Sequence, residues 1–411
     1  MRHKPIHNKM IQEITVENFL SFKHKTTFSF EADKDDNYAE DTQVVEVAKG
    51  VKLLRFAALY GANASGKSNF LKIFFFLHDF ILRDVNSVAT GVEPFLLDDK
   101  TAKGDSKFDI IFYDNSNKKY RYFLRVNPQN VVYEKLEVAD TLFFERKTKG
   151  DKTTITYNFE IDPQVKNGLD WTCRKNMSLF AAYNSSTEKL TEKIVEIENV
   201  LEYFKNFLPI ITDKKDVYTK IANDFVSGAE NIDRQFIDDL KLDGFDNIGD
   251  ICFSLVKNDG EEKIRDEYAV EVKVDGKTRT YNLIGQQQSN GTKRFVALYY
   301  IMKRLVKNNA FLAADELETS IHPDLFEKLI YDFVTQKNSR SQLIITTHYS
   351  GLMETVNNLV RKDSIRFAEK IKDGSTRLFS LADFNLTNIK SIYKAYREGR
   401  FGAVAEIEYY N

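Results

Sequence analysis

The feature that most constrains the fold is the stretch AALYGANASGKSNFLK, residues 57–72, in which two glycines precede a lysine and a serine. Gly61 and Gly66 are separated by four residues, and Lys67 and Ser68 follow at once. This spacing is typical of a loop whose backbone amides surround a phosphate group. The lysine adds a positive charge, and the serine hydroxyl can bind a Mg²⁺ ion that bridges the terminal phosphates. A linker rich in small residues can have a similar sequence, so the flanking segments decide between the two interpretations.

The segments on either side of this loop favour phosphate binding. The apolar run 56–60 before the loop predicts a buried strand. Apolar residues after the loop recur at helical spacing, and they are Phe70, Leu71, Phe74, Phe75 and Leu77. Between a strand and a helix, the loop amides and the positive end of the helix dipole act on the same anion.

Composition limits the class of protein. The chain has 411 residues, of which 42% are hydrophobic, so we expect a globular protein with a large core and one elaborated domain or two. The formal net charge of -2 gives no overall positive field for nucleic acid, although a local basic patch stays open. Cys173 and Cys252 have neither metal-ligand spacing nor a disulfide pattern, as expected in a reducing cytoplasm.

Neither the most apolar window of the chain nor its first ten residues predict a membrane-spanning segment or a signal peptide. The most apolar window, 73–82, is too short to span a bilayer. The basic start 1–10 lacks the apolar run of a signal peptide and is interpreted as a loose leader, with Met10 as an alternative start. We therefore expect a soluble, cytoplasmic protein without a membrane partner.

The periodicity of apolar residues predicts an α/β chain in three parts. Residues 1–160 would form a lobe with the phosphate loop and an antiparallel meander, because Phe-, Tyr- and Val-rich runs alternate with turn residues there. Residues 161–250 would form a helical insert, since apolar residues recur at a period near 3.6 from 177 onward. Residues 251–411 would form a second lobe, with a hairpin turning at Asp275-Gly276 and then alternating strands and helices.

Two carboxylates follow a predicted strand of this second lobe. The apolar run 310–314 ends in Asp315 and Glu316, and ligands of open α/β sheets bind at the carboxyl ends of the strands. Asp315 would hold Mg²⁺ through its water shell, and Glu316 would polarise an attacking water. Two acids can also cap the next helix. In a chain that also has a phosphate loop, the catalytic interpretation is favoured.

A histidine occupies the same position after the next predicted strand. The run 343–346 is followed by Thr347 and His348. An imidazole at this sheet edge can reach a γ-phosphate and sense its presence. A single histidine at a strand end is often incidental, but its order after Asp315 and Glu316 favours the sensor interpretation.

The stretch IGQQQSNGTKRFVALYYIM predicts a second anion-binding helix start. Ser289, Gly291 and Thr292 are small or hydroxyl residues that leave the first amides of the helix accessible to an anion. Ser289 taken alone is an ordinary N-cap residue. One nucleotide needs only one such site in a chain, so the second site predicts that two chains share a nucleotide.

These four stretches, in this order, resemble the ABC-type ATPases, in the branch that contains the RecF, SMC and OLD proteins. YGANASGKSN resembles the Walker A motif of that branch, DELETSIHP its Walker B motif and D-loop, and TTHYS its switch-histidine segment. SNGTKRF stands at the place of the signature motif, and ENFLSFK is similar to the first strand and turn, which lie near the adenine. The resemblance implies an ABC-type P-loop ATPase head with an antiparallel β-meander and a helical insert.

The resemblance also implies ATP and Mg²⁺ as ligands of a homodimer or higher homo-oligomer. The implied nucleotide contacts are Gly61, Asn63, Ala64, Ser65, Gly66, Lys67, Ser68 and Asn69, with Ser289, Gly291 and Thr292 supplied by the second chain. Ser68 and Asp315 are the implied metal-site residues. Glu316 and His348 are the implied catalytic residues.

The ending YREGRFGAVAEI and the stretches PFLLDD, FDIIFY and YRYFLRV resemble the RloA/AbiL-type group. This resemblance implies a regulator in abortive defence against phage. It would control a separately encoded effector, often a Toprim-like nuclease, with DNA or a phage protein as trigger.

Two other functions stay open. A RecF- or SMC-like ATPase of DNA repair would bind DNA on the dimer, using basic clusters such as Lys118-Lys119-Arg121 and Arg361-Lys362. A slowly hydrolysing scaffold would use the nucleotide only to set its state of assembly.

Overall fold

The structure is a computed structural model that describes residues 10–83, 89–150, 152–186, 193–210, 251–253, 268–274, 277–282 and 290–404. The chain divides into two compact units. The first unit consists of Met1–Ile211, Val306–Glu316 and Val334–Asn411. The second consists of Thr212–Leu305 and Leu317–Phe333.

Strands and helices are numbered in chain order. The strands are β1 (Met10–Glu17), β2 (Thr26–Ser29), β3 (Val44–Ala48), β4 (Val51–Leu54), β5 (Phe56–Tyr60), β6 (Ser106–Tyr113), β7 (Lys119–Val126), β8 (Val131–Val138), β9 (Thr141–Lys149), β10 (Lys152–Tyr157), β11 (Phe207–Ile210), β12 (Ile251–Phe253), β13 (Tyr268–Val274), β14 (Lys277–Asn282), β15 (Phe311–Ala314), β16 (Gln342–Thr346), β17 (Ile365–Lys370) and β18 (Thr376–Ser380). The helices are α1 (Glu40–Gln43), α2 (Lys67–Leu82), α3 (Asp99–Ala102), α4 (Pro163–Thr172), α5 (Leu179–Ser186), α6 (Val195–Lys205), α7 (Asn290–Lys307), α8 (Pro323–Val334), α9 (Gly351–Glu354) and α10 (Ile392–Arg397).

The predicted meander is confirmed as part of a seven-stranded antiparallel sheet with the order β10-β9-β8-β7-β6-β1-β2. Side chains alternate between the two faces, as the pleat of a strand requires. In β7, for example, Tyr120, Tyr122 and Leu124 are buried, whereas Arg121 and Arg125 between them are partly exposed. One face of the sheet therefore packs on the core, and the other carries charged residues.

The second sheet is mostly parallel and has the order β11-β15-β16-β5-β17-β18. Every neighbouring pair is parallel except β17 with β18. All residues of β5, β15 and β16 are buried, which explains why these strands appear as continuous apolar runs in the sequence. The fold is therefore mixed α/β, as predicted, and the parallel strands β15, β16 and β5 lie inside this second sheet.

Aromatic side chains of α2 fill the space beside these parallel strands. The ring centroid of Phe74 lies 5.3 Å from that of Phe70 and 4.9 Å from that of Phe311 in β15. Phe207 stacks on Phe311 with a centroid distance of 4.3 Å. Phe75, predicted with the apolar residues of this helix, is 47% exposed. One residue step turns a helix by about 100°, so Phe75 cannot face the same neighbours as Phe74.

A buried ion pair joins the antiparallel sheet to the segment that connects α4 and α5. Glu134 in β8 and Arg146 in β9 are opposite each other, and both side chains are 0% exposed. The Arg146 guanidinium donates from Nη2 to the carbonyl of Arg174 at 2.6 Å, and the amide of Leu179 donates to Glu134 Oε2 at 3.1 Å. Burial raises the pKa of Glu134, and the charge of Arg146 opposes that rise.

The predicted helices after residue 177 and the predicted hairpin can be compared with the described residues, whereas the predicted division into residues 1–160, 161–250 and 251–411 stays a prediction. Helices α5 and α6 lie in the predicted helical insert, and β13 and β14 form the predicted antiparallel hairpin. Asp275-Gly276 and the insert after residue 210 lie outside the described residues. Cys173 is a buried core residue, and burial raises the pKa of its thiol to about 12. Within the described ranges, we find no helix that is both long and apolar enough to cross a membrane.

Replacing Arg146 by Ala is expected to lower the free energy of unfolding by about 3–5 kcal/mol, because it leaves the Glu134 carboxylate buried without its counter-ion. The matched control is Arg121→Ala, which breaks the ion pair with Asp109 at a side chain that is 43% exposed. The control should cost about 1 kcal/mol or less. Urea unfolding of both variants measures the difference, and equal losses would contradict a special role of the buried pair.

Candidate functional site

Three adjacent parallel strands bring the predicted site residues to one edge of the sheet. β16 lies between β15 and β5, with Ile345 opposite both Ala314 and Ala58. Asp315 follows β15, Thr347 follows β16, and the phosphate loop follows β5. Parallel strands present their carboxyl ends at the same edge. The structure thus places the two carboxylates, the histidine segment and the loop side by side.

The phosphate loop is closed by its own lysine. Lys67 is the first residue of α2, and its ammonium donates to the carbonyls of Gly61 at 2.9 Å and Ala62 at 3.1 Å. The Lys67 side chain is buried, with only 6% of the residue exposed. The lysine thus places a positive charge beside the backbone of the loop, at the start of α2.

Both glycines of the loop are required by close contacts. A Cβ atom on Gly61, which has φ of 154°, would lie 2.2 Å from the carbonyl oxygen of Ala368 in β17. A Cβ atom on Gly66, which has φ of 102°, would lie 2.0 Å from the hydroxyl of Thr376 in β18. The loop therefore lies in close contact with β17 and β18, and only glycines allow that approach.

Two hydroxyl residues that sequence reasoning missed support the loop. Thr376 donates to the carbonyl of Ser65 at 2.9 Å, and its amide donates to the carbonyl of Ser21 at 2.8 Å. The hydroxyls of Thr376 and Ser21 are 2.8 Å apart. Ser21 lies in the stretch ENFLSFK, which the resemblance placed near the nucleotide, but no local pattern marks Thr376.

The loop has the donors that a phosphate group needs. The Ser65 hydroxyl is buried and makes no hydrogen bond to any described residue. A buried hydroxyl without a partner is costly, and a bound phosphate oxygen would remove that cost. The loop lines a cleft of about 420 Å³, to which Leu20, Phe95 and Leu97 also contribute. The loop side of this cleft includes Ala64, Ser65, Gly66, Lys67, Ser68 and Asn69.

A buried threonine orders the two carboxylates after β15. The Thr346 hydroxyl donates to Asp315 Oδ1 and accepts a hydrogen bond from the amide of Glu316 at 2.9 Å. Thr346 and Asp315 are both buried. Glu316 has φ of 46°, which is unusual for a residue other than glycine. Thr346 thus holds the backbone at the end of β15, a role that no local sequence pattern indicates.

Glu316 and His348 face each other. His348 Nε2 lies 3.9 Å from Glu316 Oε1, beyond hydrogen-bond distance but within the range of an ion pair. The two side chains are 47% and 44% exposed, for Glu316 and His348 respectively. Both groups can therefore reach a ligand and solvent water from the same edge of the sheet.

The predicted second anion site lies in the other compact unit. Helix α7 begins at Asn290, so Gly291 and Thr292 are in its first turn, as the sequence predicts. Ser289 lies outside the described residues. The role of these three residues as nucleotide contacts stays a prediction.

The family model described as "AAA domain, putative AbiEii toxin, Type IV TA system" matches residues 56–354. The chain belongs to this AAA family. The range matched by the AAA family begins at β5 and extends past His348. It therefore contains the phosphate loop and the carboxylates of Asp315 and Glu316.

Similar solved structures include SMC head domains. The SMC head domain from Thermotoga maritima is 12% identical, with a TM-score of 0.43, and the match covers 90% of this chain and 98% of that one. A second structure, an SMC head bound to the "C-winged helix domain of ScpA", is 13% identical, with a TM-score of 0.45, and the match covers 91% of this chain and 99% of that one. No curated protein matches the chain.

Replacing Gly61 by Ala should destabilise the protein more than the same change at Gly50. Both glycines have positive φ, but a Cβ on Gly50 would meet nothing within 4 Å, whereas one on Gly61 would meet a backbone carbonyl. Backbone conformation alone costs about 1–2 kcal/mol, and the clash should add about 1–3 kcal/mol. Urea unfolding of the two variants gives the comparison, and equal losses would show that the contact with Ala368 does not constrain the loop.

Proposed function

We propose that this AAA-family chain binds and hydrolyses ATP with the help of Mg²⁺. The observation that carries the proposal is the convergence of the phosphate loop, Asp315, Glu316 and His348 at the carboxyl edge of three neighbouring strands. A loop that only binds an anion needs neither the carboxylates nor the histidine. Hydrolysis needs both a metal-holding acid and a group that orients water.

The residues of the loop would hold the phosphates. Backbone amides of the loop would donate to phosphate oxygens, and Lys67 would neutralise part of their charge. Ser68 and Asp315 would hold Mg²⁺, which supplies charge neutralisation at the terminal phosphates. The remaining contacts would come from Gly61, Asn63, Ala64, Ser65, Gly66 and Asn69.

Glu316 would orient the attacking water and accept its proton. Thr346 bonds the Glu316 amide and the Asp315 side chain, and the Glu316 side chain is 47% exposed. His348, 3.9 Å from this carboxylate, would donate to the terminal phosphate and report its presence to Glu316. Burial distinguishes the two proposed roles: Asp315 is buried and would hold the metal ion, whereas the Glu316 side chain is exposed and would contact water.

The site would be completed by a second copy of the chain. Ser289, Gly291 and Thr292 would place the start of α7 of that copy on the phosphates, so that ATP joins the two chains as a homodimer or a higher homo-oligomer. Closing the site would exclude water and strengthen each charge contact. Hydrolysis would then release the two copies from one another.

The cellular role that we propose is control of a separately encoded effector in anti-phage defence. The family description names the AbiEii toxin of a type IV toxin-antitoxin system, which is consistent with a defence role. The resemblance to the RloA/AbiL-type group points to a Toprim-like nuclease as effector, with DNA or a phage protein as trigger. ATP-dependent co-elution of the two proteins would test the partnership.

The basic clusters considered for a DNA-binding function are neutralised by nearby carboxylates. Lys118 pairs with Glu196 at 2.8 Å, and Lys362 pairs with Asp33 at 3.0 Å. Arg361 is fully buried. The other pairs in these clusters are Lys119 with Asp140, Arg121 with Asp109, and Arg361 with Asp363. Phosphate groups of DNA would have to displace these partners, so a repair clamp is the less favoured function.

Lys67→Ala should abolish ATP binding, because it removes both the charge at the phosphates and the contacts that close the loop. Lys72→Ala is the matched control, since Lys72 is an exposed lysine on the same helix. Titration with a fluorescent ATP analogue in the presence of Mg²⁺ measures the affinity. Unchanged binding by the Lys67 variant would contradict the assignment of the phosphate loop.

Glu316→Gln should slow ATP hydrolysis by about 10²–10⁴-fold, because the amide cannot accept a proton from water. ATP binding should persist, and the ATP-loaded dimer should accumulate in light-scattering measurements. Glu354→Gln, at an exposed carboxylate of α9, serves as the control. Near-normal phosphate release by the Glu316 variant would remove this residue from its role.

A further inference from the structure

A loop near the C-terminal end of the chain is bonded directly to the phosphate loop. After α10, the backbone turns at Gly399 and Gly402, both with φ of 74°. This turn brings Ala403 beside the start of the phosphate loop, where the amide of Ala62 donates to the Ala403 carbonyl at 3.0 Å. We call residues 399–403 the C-terminal loop. It contacts the outer side of the turn whose carbonyls hold Lys67.

Aromatic packing fixes the C-terminal loop on the same sheet that carries the phosphate loop. Phe401 is only 4% exposed, and its ring centroid lies 5.1 Å from that of Phe384 and 6.0 Å from that of Phe367 in β17. The Tyr396 hydroxyl donates to the Ala403 carbonyl at 3.1 Å, and the Tyr396 ring packs against Tyr60 at the end of β5. The contact with Ala62 is therefore part of a packed structure.

Glu369 in β17 connects the C-terminal loop to the sheet through one of its two oxygens. The amide of Ala403 donates to Glu369 Oε1 at 3.1 Å, while Oε2 accepts from Arg377 of β18 at 2.6 Å. Gly402 lies so close that a Cβ atom there would be 2.9 Å from Glu369 Oε1. The Glu369 side chain is 27% exposed, and the Arg377 side chain is 62% exposed.

These contacts form a continuous series from Glu369 to the lysine of the phosphate loop. The Glu369 carboxylate accepts from the Ala403 amide, and the Ala403 carbonyl accepts from the Ala62 amide. The Gly61 carbonyl, in the same peptide unit as that amide, accepts from the Lys67 ammonium. A backbone amide bonded on the outer side of the turn cannot rotate towards the phosphates. The Ala62 amide shares its peptide plane with the Gly61 carbonyl, so the bond to Ala403 holds that plane with the Gly61 carbonyl towards Lys67.

We propose that Glu369 is a positioning residue for the nucleotide, acting through the C-terminal loop to set the conformation of the phosphate loop. The inference rests on the proposed nucleotide site at Lys67. Glu369 sets the conformation of the phosphate loop before nucleotide binds, and it touches no reacting atom. Its loss should therefore weaken nucleotide binding and raise KM with little effect on kcat. The linkage is reciprocal, so bound nucleotide should also hold the C-terminal loop more firmly.

The test compares Glu369→Ala with Glu369→Gln and Arg377→Ala. Glu369→Ala should weaken binding of a fluorescent ATP analogue by about three- to tenfold, the range expected for the loss of one backbone hydrogen bond. Glu369→Gln keeps an oxygen for the Ala403 amide and should restore binding to within about twofold. Arg377→Ala removes the ion pair but leaves the Ala403 contact, so it should bind as wild type does.

A second pair of variants covers the case in which Glu369→Ala does not fold. Gly402→Ala should weaken binding in the same way, because its Cβ would displace the Glu369 carboxylate. Gly399 has the same φ as Gly402, but a Cβ there would lie 3.9 Å from its nearest neighbour, Val404. Gly399→Ala therefore controls for backbone strain. Equal binding by the two glycine variants would overturn the proposal.

Hydrogen exchange of the nucleotide-free protein separates this inference from the proposed function. Glu369→Ala should speed exchange at the Ala62 amide by about three- to tenfold, with no change in peptides from β8 and β9. Wild-type affinity and exchange in this variant would overturn the proposal, as would an equal loss of binding in Arg377→Ala. If the wild-type protein binds no nucleotide, the proposed function fails, and the exchange measurement still decides whether Glu369 positions the loop.

Discussion

The parallel pairing of β15, β16 and β5 is the constraint on which the rest of the structure depends. Residues near positions 60, 315 and 348 are far apart in the chain, and only this ladder makes them neighbours. Because neighbouring parallel strands end at one edge, the order of the strands determines which chemical groups meet. The fully buried, largely apolar sequences of these strands stabilise that order. The same residues that form the core thus also place the polar groups at its rim.

The phosphate loop is held from more than one side, which suits its proposed role in binding an anion. Thr376 holds the Ser65 carbonyl, and Ala403 holds the Ala62 amide. Lys67 bonds the turn between these two points. A loop fixed in this way loses little conformational entropy when it binds an anion, so more of the interaction energy contributes to affinity.

Local patterns in the sequence mark the residues that the fold brings to one edge of the sheet. The glycine spacing, the acids after β15 and the histidine after β16 are short stretches that can be recognised from neighbouring residues alone. Their roles in binding and catalysis stay predictions. Strands β11 and β17, and the residues Thr376 and Ala403, were missed because their roles come from contacts between distant parts of the chain. From the sequence, Thr346 is only the last residue of a predicted apolar strand, and no pattern indicates that its hydroxyl bonds Asp315 and the amide of Glu316.

The buried pair of Glu134 and Arg146 also limits how β8 and β9 can align. The two residues are opposite each other, so a shift of β9 by one position would turn the guanidinium to the solvent face and leave the carboxylate alone in the core. Alternative alignments of the hairpin are therefore unfavourable. In evolution, the two positions should change together, because either single replacement passes through a chain with an unmatched buried charge.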